Sequence, residues 1–375
     1  MFESLDKYIA FLPIIFLSLT FTLFATPLIM DIAKRIGAVA KPKHLRDESE
    51  RGFSTHIHDG IIPKLGFVPV VLPILFLAPF FFHIDFQIAV IFLCLVILFI
   101  FGVLDDKYNL PGTVQFAVLS FCCFAVIFSG INISEANNPF TGSFLNFDRG
   151  RVVIQMFGEI VTYNLLSVVV SFFWMMIVIN AINWNDGVDG VLNGNIAIAS
   201  LIILLVSIRE ANLVTGVISA LLLGSNLGLL RYNFYPAKIF NSYGGQISGF
   251  LIAVLSILVQ VKLSIAAMII LIPLLDFAWV LLGRIRRVKP RSLKQLFSIL
   301  NISDTTHLHH RLLALGYGKR RVAFLEYVAT LFAGVIAMIL SGLELTSVFF
   351  GSILIVLLIF IFLDRIIARK NKEKE

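Results

Sequence analysis

The chain has 375 residues, 58% of them hydrophobic, with 36 Phe, only 14% charged residues and a net charge of +7. Such a composition excludes an ordinary soluble domain pair and takes the positive charge away from any nucleic-acid reading, because the basic residues sit between long apolar runs. Cys94, Cys122 and Cys123 all fall inside those runs and read as buried small hydrophobes rather than as disulfide or metal-binding thiols.

Apolar windows of about 17 to 23 residues, each long enough to cross roughly 30 Å of hydrocarbon as a helix, recur along nearly the whole sequence. They lie near 8–29, 63–82, 86–104, 111–130, 160–182, 191–208, 212–229, 245–261, 263–283, 323–341 and 345–363. The expected architecture is therefore an all-α, polytopic integral membrane protein of about eleven transmembrane helices, with 1–375 forming a single transmembrane domain. The opening MFESLDKYIAFLPIIFLSLTFTLFATPLIM has acids in front and no small-residue cleavage site, so it reads as an uncleaved first span.

Orientation follows from the 30 Lys and Arg. With the N-terminus outside, 25 of them fall on the inner side, chiefly in the loops 31–62 and 284–322 and in the basic tail 365–375. The other five are Lys7, Arg149, Arg151, Arg209 and Lys262. The positive-inside rule then places the C-terminus and the two larger loops in the cytoplasm of a cell-membrane protein. A face of this charge suits anionic headgroups and phosphates, and nothing in the sequence resembles a nucleic-acid reader. The segment 131–159 is the one sizeable outer loop.

The concentrated polar clusters share the cytoplasmic side. The third span runs into FGVLDDKYNLPG, which puts Asp105 and Asp106 at the inner rim. The fifth runs into NAINWNDGVDG, where Asn180, Asn183, Asp186 and Asp189 recur every three residues and so share one continuous face. Ionisable groups at a bilayer edge read as a functional site. Carboxylates and carboxamides are the oxygen ligands that Mg²⁺ takes, with Mn²⁺ as its substitute, usually one or two carboxylates completed by phosphate and water. Helix capping is the plainer role for the same residue types.

After the ninth span, six basic residues from Arg284 to Lys294 precede HLHHRLLALG, with His307, His309, His310 and Arg311. A zinc site would need a second ligand pair at suitable spacing, which the loop lacks. Imidazoles beside Arg311 suit phosphate groups. An acidic metal site, a basic loop for a diphosphate and a groove among apolar helices together match phosphoryl transfer between a soluble nucleotide and a lipid.

These strings resemble the polyprenyl-phosphate N-acetylhexosamine-1-phosphate transferases of glycosyltransferase family 4, which include the phospho-N-acetylmuramoyl-pentapeptide transferases. The resemblance runs in order from THIHDGIIPKLG through LDD, NAINWNDGVDG, GLLRYNFYPAKIF and PLLD to DTTHLHHRL. It implies that Asp105 and Asp106 are the aspartates near the polyprenyl phosphate, one of them a base. It implies that Asn183, Asp186 and Asp189 help to hold Mg²⁺ and the diphosphate of the nucleotide sugar, with Asn180 beside them on the substrate side. His307, His309, His310 and Arg311 match the histidine loop that binds the nucleotide sugar, and His58, Pro63, Lys64 and Gly66 match the first cytoplasmic loop. The spacing HLHH leans toward the branch that uses UDP-N-acetylglucosamine and a polyprenyl (undecaprenyl) phosphate, in a cell-envelope glycopolymer pathway. Members of the family are often homodimers.

Two departures from the family pattern stand out. Where a metal-binding aspartate is expected after PAKIF, the sequence reads NSYGGQ, with Tyr243 at that position. The aspartate common in the first loop is replaced around Ala40. A neutral phenol, with its ordinary pKa of about 10, does not stand in for a carboxylate on Mg²⁺ at neutral pH. One reading of NSYGGQ is an interfacial loop with its Tyr at headgroup level. A non-catalytic relative that binds or scaffolds is thus an alternative to an active transferase. A transporter fits less well, because the acids sit at the rim instead of the bilayer middle and no inverted repeat is visible.

Overall fold

The computed structural model describes residues 2–40, 60–137, 143–156, 159–259, 263–292, 295, 299, 306–340 and 342–372. His58, and with it most of the first predicted loop, lies outside the described residues. The chain begins with Phe2–Ile9 (α1) and Leu12–Ile36 (α2). Pro13 stands in the first turn of α2, where its missing N–H leaves no bond unmade. The helix stops at Gly37, whose φ of 78° is the left-handed region glycine tolerates.

Val39–Ala40 (β1) pairs with Ile62–Pro63 (β2), and Val68–Leu77 (α3), Phe86–Tyr108 (α4) and Gly112–Phe128 (α5) follow. Asp85 caps α4 by accepting from the Ile88 N–H at 2.8 Å, and Asn109 closes it in the left-handed region. Next come four short strands, Glu135–Asn137 (β3), Phe144–Asn146 (β4), Arg151–Met156 (β5) and Glu159–Asn164 (β6), paired as two antiparallel hairpins. The helices resume with Leu165–Trp184 (α6), Val191–Arg209 (α7), Leu213–Asn233 (α8), Gly244–Leu258 (α9), Leu263–Ile269 (α10) and Leu271–Val288 (α11). Leu308–Ala314 (α12), Lys319–Ile339 (α13) and Gly342–Lys372 (α14) complete the chain.

Helix occupies every one of the predicted windows. Seven helices among the described residues are long and apolar enough to cross a membrane, and Val68–Phe80, Gly112–Phe128 and Gly244–Leu258 are shorter apolar helices. Three local expectations are corrected. The protein is not purely α-helical, since three two-stranded ladders accompany the helices. The window 160–182 opens as strand β6, because the β-branched pairs Val152–Val153 and Val161–Thr162 favour a hairpin, and the helix starts only at Leu165. The window 263–283 is broken at Ile270 into two helices, where Pro273 has no N–H to continue the ladder.

The centre of the bundle is α7 and α8, the most enclosed of the spans, with α2, α9 and α13 packed around them. Helices approach closely where small residues allow it, since lipid offers no hydrophobic drive for association. A Cβ on Gly224 of α8 would meet the Ile15 carbonyl oxygen and Ser18 Oγ of α2 at 2.1 Å. At one end of this bundle the end of α4, the connection between α6 and α7, the connection between α8 and α9, and the start of α12 converge.

Candidate active site

One half of the site is built around Asp106. The last turn of α4 carries Asp105 and Asp106 side by side, and Asp106 is buried. One of its carboxylate oxygens accepts from the Leu65 N–H at 2.9 Å, and the other from the Ser242 hydroxyl. Both partners sit in loops held together by backbone bonds, Gly66 N–H to the Phe240 carbonyl at 2.9 Å and Phe240 N–H to the Pro63 carbonyl at 2.9 Å. A Cβ on Gly66 would lie 2.7 Å from that Phe240 oxygen, so the close approach of the two loops needs glycine there. Lys64 reaches Asn109 Oδ1 at 2.9 Å and adds positive charge beside the two acids. Asp105 is held differently: its Oδ1 accepts from Leu110 N–H and from Gln115, which in turn accepts from Gln246 at 2.8 Å.

The other half is the loop from Asn185 to Gly190. Buried asparagines fix it to its neighbours. Asn233 Oδ1 accepts from the Gly190 N–H at 3.0 Å and from Asn193 at 2.7 Å, while Asn193 accepts from Asn241 at 2.7 Å. Asp189 accepts from the Ala237 N–H at 3.2 Å and lies 4.0 Å from Lys319 Nζ. Asp186 accepts no hydrogen bond from the described residues. Burial, then the charges of Asp189 and Asp106, pushes its carboxyl pKa up to about 7. The two halves meet where Asn183 packs on Gly245, since a Cβ there would stand 2.8 Å from Asn183 Oδ1.

The histidines close over this loop. His307 is buried, with Nδ1 2.7 Å from an Asp276 oxygen, and the other oxygen of Asp276 accepts from the Leu308 N–H at 2.7 Å. His309 stacks on His307 with ring centroids 5.4 Å apart and planes 4° apart, and His310 lies 4.5 Å from His309. His309 rests on the acidic loop itself: a Cβ on Gly187 would be 1.8 Å from its Nε2. Arg311 is buried against Trp279 and Phe360 and pairs with Asp364 at 3.3 Å. Trp184 stands at the entrance of the same loop, with the Arg284 guanidinium 4.2 Å from its ring and Phe277 at 4.7 Å.

Of the residues singled out by sequence, Asp105, Asp106 and Lys64 thus share one half and Asn183, Asp186, Asp189, His307, His309, His310 and Arg311 the other. Asn180 turns back on its own helix, its amide donating to the Met176 carbonyl at 2.7 Å. Tyr243 does not lie at headgroup level. It is 3% exposed, wedged beside Gly102 with Phe101 and Phe67 at 5.5 and 6.4 Å between centroids. Burial first, then the charge of Asp105, raises its hydroxyl further above the ordinary phenol range, so it is a neutral packing group there. Sequence reasoning passed over Asp276, whose only signal is the PLLD string, and Glu326, the single acid in the span Lys319–Ile339.

The donor set fits a hard divalent cation that takes part of its shell from elsewhere. Asp186, raised by burial and then by the charges of Asp189 and Asp106, and with a carboxylate that accepts no hydrogen bond from the described residues, is the side chain such an ion would neutralise. No preformed cage exists among the described residues, where no three acidic, His or Cys side chains group for a metal.

A family model described as "Glycosyl transferase family 4" matches residues 88–260, a stretch that holds Asp105, Asp106, Asp186, Asp189 and Tyr243. The chain is similar to that family over this stretch, a little under half of its length. The chain, a sugar-phosphate transferase, is similar to the probable undecaprenyl-phosphate N-acetylglucosaminyl 1-phosphate transferase of Bacillus subtilis, 26% identical over 351 residues that cover 90% of this chain and 87% of the relative. It is 28% identical over 352 residues to the decaprenyl-phosphate N-acetylglucosaminephosphotransferase of Mycobacterium leprae, covering 84% and 79%. A phospho-N-acetylmuramoyl-pentapeptide-transferase of Clostridioides difficile is 24% identical over 301 residues, covering 74% and 83%.

Proposed function

We propose that this transferase moves N-acetylglucosamine-1-phosphate from UDP-N-acetylglucosamine to a polyprenyl phosphate such as undecaprenyl phosphate and releases UMP, as the membrane-committed step of a cell-envelope glycopolymer. The observation that carries the reading is the seating of His309 on Gly187, which brings a buried histidine cluster onto the loop of Asp186 and Asp189. A phosphate-binding side and an acidic, cation-demanding side then share one site at the mouth of apolar helices. The names and coverage of the relatives support a sugar-1-phosphate donor and a polyprenyl acceptor.

In this reading an oxygen of the lipid phosphate attacks the sugar-bearing phosphorus. The new P–O bond forms as the bond to the UMP oxygen breaks, and UMP leaves with the electron pair. His307 and His309, fixed by Asp276 and by each other, bind and orient the diphosphate, and Arg311 closes the far side of the histidine helix. Lys64 draws the anionic lipid phosphate toward Asp105 and Asp106, and one of these carboxylates takes up its proton or orients it. Mg²⁺, held through Asp186, would neutralise charge building between the two phosphates. Little covalent chemistry is asked of the chain, and most of the acceleration is positioning and electrostatics.

The site lies on the cytoplasmic face of the cell membrane, with eleven spans, the N-terminus outside and the C-terminus inside. Cysteine accessibility across intact cells tests that topology. The resemblance also carries over a homodimer, which sedimentation in detergent checks. For the activity, Asp105→Asn, Asp106→Asn and His309→Ala are each expected to abolish transfer in membranes at unchanged protein level. Full activity in all three overturns the reading.

A further inference from the structure

Glu326 is one of three buried carboxylates among the described residues. Asp106 anchors two loops and Asp276 anchors the histidines, whereas nothing in the reaction above uses Glu326. It sits 2% exposed in the span Lys319–Ile339, with no cation paired to it among the described residues. A carboxylate in such a place is costly to keep and points to a task.

Its partners show the task. Glu326 Oε2 accepts from Asn185 Nδ2 at 2.9 Å and from Asn195 Nδ2 at 3.3 Å. Asn195 also donates to Asn185 Oδ1 at 2.9 Å and accepts from the Thr330 hydroxyl at 3.1 Å. Asn185 is the residue just before Asp186 and closes the end of α6. The next residue on α13, Tyr327, donates its hydroxyl to the Gly190 carbonyl at 2.6 Å, and its ring fills the space left by Gly194. Neighbouring side chains of one helix therefore hold both ends of the 185–190 loop. Between those ends lie Gly187, on which His309 rests, and Asp186, whose carboxylate accepts no hydrogen bond from the described residues.

We propose that Glu326, assisted by Tyr327, is a positioning residue that clamps the 185–190 loop and thereby sets Asp186 and Asp189 in register with the histidines. The clamp acts through Asn185 and the Gly190 carbonyl and touches no substrate. It rests on the transferase reading for its effect on rate, but not for its effect on the loop.

The test uses the full chain purified in detergent. Hydrogen exchange of the 186–190 amides is followed in wild type, Glu326→Ala, Glu326→Gln and Tyr327→Phe, alongside kcat and KM for UDP-N-acetylglucosamine. Glu326→Ala is expected to speed loop exchange at least tenfold while the core of α7 and α8 stays protected, and to lower kcat by about 10- to 100-fold, as misplacement of reacting groups does. Glu326→Gln keeps a carbonyl acceptor for Asn185 and should restore most of both. Adding Asn185→Ala to Glu326→Ala should cost less than the sum of the two single changes, because the two share the bond between Asn185 Nδ2 and Glu326 Oε2. Should Glu326→Gln alone fold, it must still keep the loop protected, and Tyr327→Phe must loosen its Gly190 end. Unchanged loop exchange in every variant overturns the clamp whether or not the protein is active. A loop that loosens in a wild-type background giving no UMP release keeps the clamp and overturns the transferase reading instead.

Discussion

Adding one methyl group at Gly187 should disable the site without unfolding the protein. The new Cβ would stand 1.8 Å from His309 Nε2, 2.5 Å from Cε1 and 2.6 Å from Cδ2. Ordinary carbon contacts are about 3.5–4.0 Å, so the ring must retreat by roughly 2 Å. It has no free direction to take, being 1% exposed and packed between His307 and His310. Gly187 itself has no left-handed backbone, so Gly187→Ala adds no backbone strain and its effect comes from this collision alone. Displacing a binding group by about 1 Å costs on the order of 100-fold, or about 2.7 kcal/mol of transition-state stabilisation. The assay is kcat/KM for nucleotide-sugar-dependent UMP release, with a thermal melt in detergent as the control for folding. A Gly187→Ala protein with wild-type kcat/KM would show that His309 does not work from its seat on the acidic loop, and would refute the reasoning.

Three further outcomes follow from the same geometry. Asp276→Ala leaves His307 and the Leu308 N–H unsatisfied in a buried place and should lower stability by about 1–3 kcal/mol together with activity, read by melting temperature and UMP release. Tyr243→Phe should leave both activity and melting temperature close to wild type, since its buried hydroxyl has no partner among the described residues, whereas Tyr243→Asp should gain no activity and lose about 3 kcal/mol or more of stability by emptying an aromatic pocket and burying a charge. Asp186 has its carboxyl raised to about 7, and a cation binds only its deprotonated form. Mg²⁺ affinity should therefore climb about tenfold per pH unit below pH 7 and flatten above it. Titration calorimetry in buffers of different ionisation enthalpy should find about half a proton released at pH 7. Affinity that is flat between pH 6 and pH 8 contradicts the assignment.

The helices were legible in the sequence because long apolar runs leave the backbone no other way to satisfy its polar groups in lipid. The acids were legible because they stand where such runs end, and the histidines because they cluster beside Arg311 in the basic loop after the ninth span. The pattern misled at 160–164, where apolar content alone was read as helix and β-branching decided for a hairpin. The scaffold behind the site was much less visible. Glu326 reaches Asn185 across 141 positions of sequence and Asn241 reaches Asn193 across 48, and no local periodicity announces such pairs. Tyr243 shows the same limit from the other side. Its place in NSYGGQ is plain from the string, but only packing on Phe101 and Gly102 shows that it fills the core beside Asp106 rather than facing headgroups.

The central claim is that the two loops joined by His309 and Gly187 carry out sugar-1-phosphate transfer onto a lipid phosphate. Its most direct test is UMP release by the purified protein in detergent, given UDP-N-acetylglucosamine and undecaprenyl phosphate, with Mg²⁺ or with EDTA. Release that needs both substrates and Mg²⁺, and is lost in Asp186→Asn, is the predicted result. Absence of release with every UDP-N-acetylhexosamine offered, from protein that melts cooperatively, would contradict it.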